Sequence, residues 1–145
     1  MTVLQLESVL DRPSVRLQAY PLALNLAEKI VTAMQRRETS TRDRDFADLW
    51  VTSRRHRLDA TELRRHIRGV AEHRRQAVIP MAEALANMPD RQQPYAAMVQ
   101  RMAYLSSPPE HWTELIASVI EFVDPLLADD GGCLSYWDQD TLSWV

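Results

Sequence analysis

The chain has 145 residues, of which 46% are apolar and 26% are charged, and its formal net charge is −3. This composition is typical of one soluble, globular domain with a sizeable core. Three glycines and a single cysteine argue against a glycine-rich phosphate loop and exclude an internal disulfide. No secretion signal and no apolar run of roughly 20 residues is present, so we expect a cytoplasmic protein that does not span a membrane.

The first predicted elements are a short extended segment and a helix. Residues 14–20 alternate between apolar and polar side chains, which indicates a strand or an extended lead-in. Pro21 follows, at a position where its missing N–H does no harm, because the first N–H groups of a helix have no partner within it. Apolar residues then recur at helical spacing, so we predict a helix over residues 22–37.

Two more helices are predicted in the arginine-rich middle of the chain. We expect Thr41 to be the N-cap of a helix over residues 42–54. Asp59, with Glu62 three residues later, fits the capping box of a third helix. The arginines of this third helix lie largely outside its apolar stripe.

Three further helices and a returning segment complete the predicted fold. Apolar residues at helical spacing predict these helices over residues 78–89, 94–105 and 109–127. Asp-Asp-Gly-Gly at 129–132 indicates a turn, after which an extended segment is expected to carry Trp137 and Trp144 back onto the helices. The elements together predict a mainly α fold. We expect a compact bundle of five or six helices in one domain over residues 1–145, with a short extended segment at its N-terminus.

The charges are distributed unevenly along the chain. Residues 36–75 hold twelve arginines and seven acidic residues, whereas residues 105–145 hold eight acidic residues and neither Lys nor Arg. The two regions either neutralise each other or are simply solvated, or else the basic region contacts phosphate groups of a partner. Composition leaves these alternatives open.

Lys29 borders the apolar stripe of the first predicted helix. Such a lysine either extends its ammonium to solvent or points it at a partner. Asp45 and Asp48 are three residues apart, so their carboxylates share one face of the second helix. The short loop between the helices predicts that Lys29 faces these carboxylates. The spacing allows a structural ion pair, and it also allows a phosphate-binding lysine beside an aspartate that orients or activates a reacting group.

Three short segments follow one another in the first half of the chain: AEK at 27–29, STRDRDFADL at 40–49 and LDATELRRHI at 58–67. Their order and spacing resemble those of the AbiEii/AbiGii-type nucleotidyltransferase toxins. In that family an Ala-Glu-Lys helix is followed by a serine/arginine loop and a helix with the pattern [Lys/Arg]-Asp-x-x-Asp-Leu. The resemblance is strongest over residues 8–76, and it implies a toxin of a type IV toxin–antitoxin or phage abortive-infection system.

The resemblance also implies roles for individual residues. Lys29 corresponds to the lysine that contacts the nucleoside triphosphate, and Asp45 and Asp48 correspond to the aspartates of the last catalytic motif. Arg42 and Arg44 are expected to hold phosphate or the acceptor. The implied reaction transfers a nucleotide from a nucleoside triphosphate to an RNA, such as a tRNA 3′ end, or to a protein hydroxyl.

One family feature is not found. The family carries an upstream α/β half with a Gly-Ser turn and paired acids that hold Mg²⁺ and the triphosphate, and no Gly-Ser dipeptide occurs here. We therefore expect this chain to correspond to the C-terminal half of such a toxin and to be inactive without an N-terminal half. Mg²⁺ and the nucleoside triphosphate are expected only in a complemented active site, with no metal site in this chain alone. The expected partners are an N-terminal nucleotidyltransferase half, a tRNA or protein acceptor and a cognate antitoxin.

Two other interpretations of the charged region stay open. The chain could be a non-catalytic helical module that binds nucleic acid or a protein partner through its arginine-rich face. This predicts binding that weakens steeply with salt and does not depend on Lys29. Alternatively, the charged residues only hold helices together, which predicts that loss of the Asp45 charge destabilises the fold.

Overall fold

The computed structural model describes the backbone of residues 3–5 and 16–18 and the complete residues 21–102, 108–128 and 134–145. The helices in this part of the chain are α1 (Leu22–Arg36), α2 (Asp43–Arg55), α3 (Ala60–His73), the single-turn α4 (Met81–Ala84), α5 (Gln92–Arg101) and α6 (Trp112–Leu127). The strands are β1 (Val3–Gln5), β2 (Arg16–Gln18), β3 (Leu58–Asp59), β4 (Tyr136–Asp138) and β5 (Ser143–Trp144). The predicted mainly α fold is confirmed, together with a short extended segment before the first helix.

The helix boundaries of the basic region follow local chemistry. Asp59 caps α3 as predicted, because its carboxylate accepts the N–H of Glu62 at 2.7 Å. The prediction that Thr41 caps the second helix is wrong. That helix begins at Asp43, with Arg42 at the N-cap. The hydroxyl of the buried Ser40 accepts the Arg42 N–H at 3.3 Å. This hydrogen bond holds residues 40–42 in a turn, so the helix begins one residue later than predicted.

The helix predicted over residues 78–89 is much shorter in the structure. Only Met81–Ala84 is helical. Pro80 disfavours a helical conformation in the residue before it, which delays the start of the helix. After Ala84 the chain continues as turns, in which Ala86 N–H donates to the Glu83 carbonyl and Met88 N–H to the Leu85 carbonyl. The N–H groups of Met81 and Ala82 donate to the carboxylate of Asp124 on α6, at 2.6 and 3.1 Å. Helix α6 extends past Pro125 to Leu127. The turn predicted at 129–132 lies outside the described residues.

The core forms where the apolar faces of the helices meet. Helix α1 packs mainly along α3, and α2 packs against α5 and α6. Phe46 of α2 and Tyr95 of α5 both contact Trp112 of α6, with ring centroids 5.7 and 5.6 Å apart. None of the described helices is long and apolar enough to cross a membrane.

The C-terminal segment contributes β4 and β5 to an antiparallel sheet in the order β3-β4-β5, in which β3 is the strand directly before α3. Trp137 and Trp144 lie on its two later strands and form an aromatic cluster with Phe122 of α6. The indole N–H of Trp137 donates to the carbonyl of Ser53 at 2.6 Å, and that of Trp144 donates to the carbonyl of Phe122 at 2.7 Å. The predicted return of both tryptophans is therefore confirmed, and it ties the end of the chain to α2 and α6.

A candidate phosphate-binding cleft between three helices

Lys29 lies on the edge of the buried face of α1, and its side chain is 19% exposed. Its ammonium reaches across to α2, where Nζ is 3.2 Å from Oδ1 of Asp45 and 3.3 Å from Oδ2 of Asp48. The two aspartates are one turn apart on that helix, so both carboxylates point at the same place. The predicted proximity of Lys29 to Asp45 and Asp48 is confirmed, whereas their catalytic roles stay predictions.

The two arginines predicted for this site have different positions. Nε of Arg42 donates to Oδ2 of Asp45 at 2.5 Å, so Asp45 joins two cations from different elements. Nε of Arg44 is 3.9 Å from Oδ2 of Asp48, and its side chain is 65% exposed. Arg42 is thus part of the charged cluster, whereas Arg44 lies on its solvent-exposed side.

An open cleft of about 290 Å³ lies beside this cluster. It is lined by Asn25, Glu28, Lys29, Thr32, Arg42, Asp45 and Arg74. Three of these side chains are cationic and two are acidic, so the wall presents more positive than negative charge. Because Lys29 lines this cleft, a ligand can approach its ammonium from solvent. The ion pairs at Lys29 are therefore not fully enclosed between the two helices.

Arg74 is a cleft residue that the sequence did not indicate. It follows α3 at its C-cap and reaches over α1, where Nη1 donates to Oγ1 of Thr32 at 2.8 Å and to Oε1 of Gln35 at 3.2 Å. Nη2 is 3.7 Å from Oε2 of Glu28. These acceptors recur at helical spacing on α1, so they hold the guanidinium at the wall of the cleft. The polar row on α1 is visible in the sequence, but the arginine that meets it depends on how α3 packs.

A second ion pair lies near the cleft but does not line it. Asp43, whose side chain is 8% exposed, accepts two hydrogen bonds from Arg91, from Nε at 2.6 Å and from Nη2 at 2.9 Å. These hydrogen bonds raise the pKa of the Arg91 guanidinium above its ordinary value. The pair joins the first turn of α2 to the start of α5, and its closed, bidentate geometry gives it a structural role.

The carboxylates of the cleft do not form a magnesium site. In the part of the chain that the structure describes, no three His, Cys, Asp or Glu side chains are grouped as metal ligands. Both oxygens of Asp45 already contact cationic groups, of Lys29 and Arg42. A divalent cation at Asp45 would be repelled by these neighbours, so the described residues do not fit Mg²⁺.

Comparison with known proteins assigns the chain to a family. A family model described as "Nucleotidyl transferase AbiEii toxin, Type IV TA system" matches residues 2–139. No curated protein and no solved structure matches the chain significantly. The match extends on both sides of residues 8–76 and includes every helix from α1 to α6. The chain therefore belongs to the AbiEii family of nucleotidyltransferase toxins of type IV toxin–antitoxin systems.

Proposed function

We propose that this chain is the nucleotide-binding, C-terminal part of a nucleotidyltransferase-like toxin, and that its cleft binds the triphosphate of a nucleoside triphosphate. The observation that supports the proposal is the convergence of Lys29, Arg42 and Arg74 on one open cleft. These cations come from α1, from the start of α2 and from the end of α3. Three separate elements thus contribute positive charge to one solvent-accessible wall.

The chemistry of the three side chains suits a polyphosphate. Guanidinium groups bind phosphate oxygens through pairs of hydrogen bonds, and an ammonium acts as a compact point charge. Arg42 lies at the N-cap of α2, where backbone N–H groups and the helix dipole favour anions. Asp45 accepts hydrogen bonds from both Lys29 and Arg42. In the proposed complex, phosphate oxygens replace carboxylate oxygens as acceptors for these cations.

The proposed reaction transfers a nucleotide to a hydroxyl group. The acceptor oxygen attacks the α-phosphorus, the bond to the bridging oxygen of the β-phosphate breaks, and pyrophosphate leaves. Asp45 accepts the proton of the attacking hydroxyl, and Asp48 keeps the Lys29 ammonium beside the phosphates. The acceptor is a tRNA 3′ end, another RNA or a protein hydroxyl, with the cytoplasm as the proposed compartment.

We further propose that an N-terminal nucleotidyltransferase half supplies the metal ligands and that this chain alone is inactive. The basis is that the described cleft residues do not fit Mg²⁺ and that the sequence has no Gly-Ser dipeptide. A cognate antitoxin is a further partner, because the family belongs to a type IV toxin–antitoxin system.

Binding of inorganic tripolyphosphate, measured by calorimetry, tests the phosphate site. We expect Lys29→Ala and Arg74→Ala each to weaken binding about tenfold or more, because each removes a charged hydrogen-bond donor. Arg68→Ala is the matched control, since Arg68 is an exposed arginine of α3 that does not line the cleft. Failure of the wild-type chain to bind tripolyphosphate, or an equal loss in Arg68→Ala, contradicts the proposal.

Transfer itself is tested with labelled nucleoside triphosphates and total RNA, with and without a chain that provides the N-terminal half. We expect label on an acceptor only when both chains are present, and we expect Asp45→Ala to abolish it while the protein stays folded. Transfer by the single chain contradicts the proposed dependence on an N-terminal half.

The arginine-rich surface supports a second candidate function, the binding of nucleic acid or a protein partner without catalysis. Several arginines outside the cleft are exposed, namely Arg55, Arg57, Arg65, Arg68 and Arg75. A surface of this kind gives binding that weakens steeply as salt concentration rises. RNA binding that is unchanged in Lys29→Ala, together with no transfer in any combination of chains, favours this second function.

A further inference from the structure

A second groove lies directly beside the phosphate-binding cleft. It has a volume of about 430 Å³ and runs between α1 and α3, lined by Leu24, Glu28, Arg65, His66, Gly69, Val70, His73 and Arg74. Glu28 and Arg74 line the cleft as well. The two hollows are therefore neighbours that share a wall, and a ligand longer than a phosphate chain can reach from one into the other.

Gly69 is an exposed residue among those that line this groove. It lies in the middle of α3 and is the only glycine within the described residues. A Cβ atom built at this position meets no atom within 4 Å, apart from its two chain neighbours and the nearby backbone of its own helix. Glycine is the poorest helix former after proline, and no described contact inside the chain requires it here. Its physical effect is to leave the backbone of α3 bare where the groove is open.

The lining of the groove is mixed in a way that suits a flat heterocycle. Leu24 and Val70 provide apolar surface, and the imidazoles of His66 and His73 lie one turn to either side of Gly69. Imidazole rings can stack on a base or form hydrogen bonds with its edge. Arg65 adds positive charge at the rim. The volume lies within the roughly 300–1,000 Å³ of small-molecule pockets.

We propose that the groove at Gly69 binds a nucleoside, with the base over the Gly69 backbone and the attached phosphates passing Arg74 into the cleft at Lys29. This proposal rests on the proposed function for the position of the phosphates. Two sources share the chemistry, the nucleoside of the donor triphosphate and the terminal nucleoside of an RNA acceptor.

Replacing Gly69 tests the proposal without removing any charge or hydrogen-bonding side chain. Gly69→Leu fills the groove and places a better helix former in α3, so the melting temperature is expected to stay unchanged or rise. Thr61→Leu is the matched control, because Thr61 is an exposed, uncharged residue of the same helix outside the groove. The probes are GTP and ATP, a short single-stranded RNA with a free 3′ hydroxyl, and inorganic tripolyphosphate.

We expect Gly69→Leu to weaken binding of the nucleoside triphosphates or of the RNA about tenfold or more, with tripolyphosphate binding unchanged and Thr61→Leu like wild type. A loss confined to the triphosphates assigns the groove to the donor, and a loss confined to the RNA assigns it to the acceptor. Unchanged affinity for both overturns the proposal, as does an equal loss in Thr61→Leu. Tripolyphosphate that fails to bind the wild-type chain instead contradicts the phosphate site at Lys29.

Discussion

Asp43 and Asp45 lie in the same turn of α2, yet their carboxylates have different partners. Successive helical residues are rotated by about 100°, so these two side chains point to opposite sides of the helix. Asp43 gives both oxygens to the single guanidinium of Arg91. Asp45 divides its oxygens between Lys29 and Arg42 and faces an open cleft. Their exposed side-chain fractions are similar, 8% and 12%.

The burial of the carboxylate alone therefore does not distinguish a structural ion pair from a candidate binding site. What differs is whether the cations line an open cleft, as Lys29 and Arg42 do and Arg91 does not. The Asp43–Arg91 pair is closed, because a bidentate contact matches the fork of one guanidinium to one carboxylate. An ammonium has three N–H donors, and Lys29 directs two of them at Asp45 and Asp48. The cluster at Lys29 therefore retains capacity to bind an anion from the cleft.

Breaking the closed pair is expected to have the largest effect on stability. Arg91→Met leaves the buried Asp43 carboxylate without its partner, which typically costs about 3–5 kcal/mol of unfolding free energy. Urea denaturation measures this loss. The double variant Asp43→Asn/Arg91→Met is the control, since removing both charges is expected to restore part of the stability. A loss below about 1 kcal/mol in Arg91→Met would mean that the pair is not structural.

Two features that depend on nearby residues could be predicted from the sequence, namely the contact of Lys29 with both carboxylates and the helix cap at Asp59. The apolar stripe of α1, the short loop after it and the three-residue spacing of Asp45 and Asp48 together indicated that Lys29 meets both carboxylates. The Asp59 cap was also predictable, because a cap bonds the N–H three residues later in the same chain segment.

Contacts between distant segments could not be predicted in the same way. Asp43 and Arg91 are 48 residues apart, and no pattern in either segment marks the other as its partner. Arg74 is one of several arginines in and directly after α3, and helix packing alone decides that it reaches Thr32. Strand β3 has two residues, Leu58–Asp59, which is too short to show an alternating pattern. Its pairing with β4 follows from the tertiary fold.

Removing the Lys29 charge is expected to have a smaller effect on stability than breaking the closed pair. In Lys29→Met, Asp45 keeps its contact with Arg42, and the Asp48 side chain is 29% exposed and can be hydrated. We expect a loss of about 1 kcal/mol or less in urea denaturation, the range of partly exposed ion pairs. A loss as large as that of Arg91→Met would support the alternative that the charged cluster only holds helices together.

Replacing Arg44 is expected to have the smallest effect on stability. Arg44 belongs to the sequence motif but does not line the cleft, so it tests which of the two matters for phosphate binding. Its Nε is 3.9 Å from Asp48 and its side chain is 65% exposed, so Arg44→Ala is expected to change the free energy of unfolding by only about 0–0.5 kcal/mol. Arg42→Ala is the matched comparison, because Arg42 lines the cleft and contacts Asp45 directly. We expect tripolyphosphate affinity to fall in Arg42→Ala and to change little in Arg44→Ala. Equal losses would mean that the phosphate binds through the general positive charge of the segment, because only a localised site distinguishes two arginines that are two residues apart.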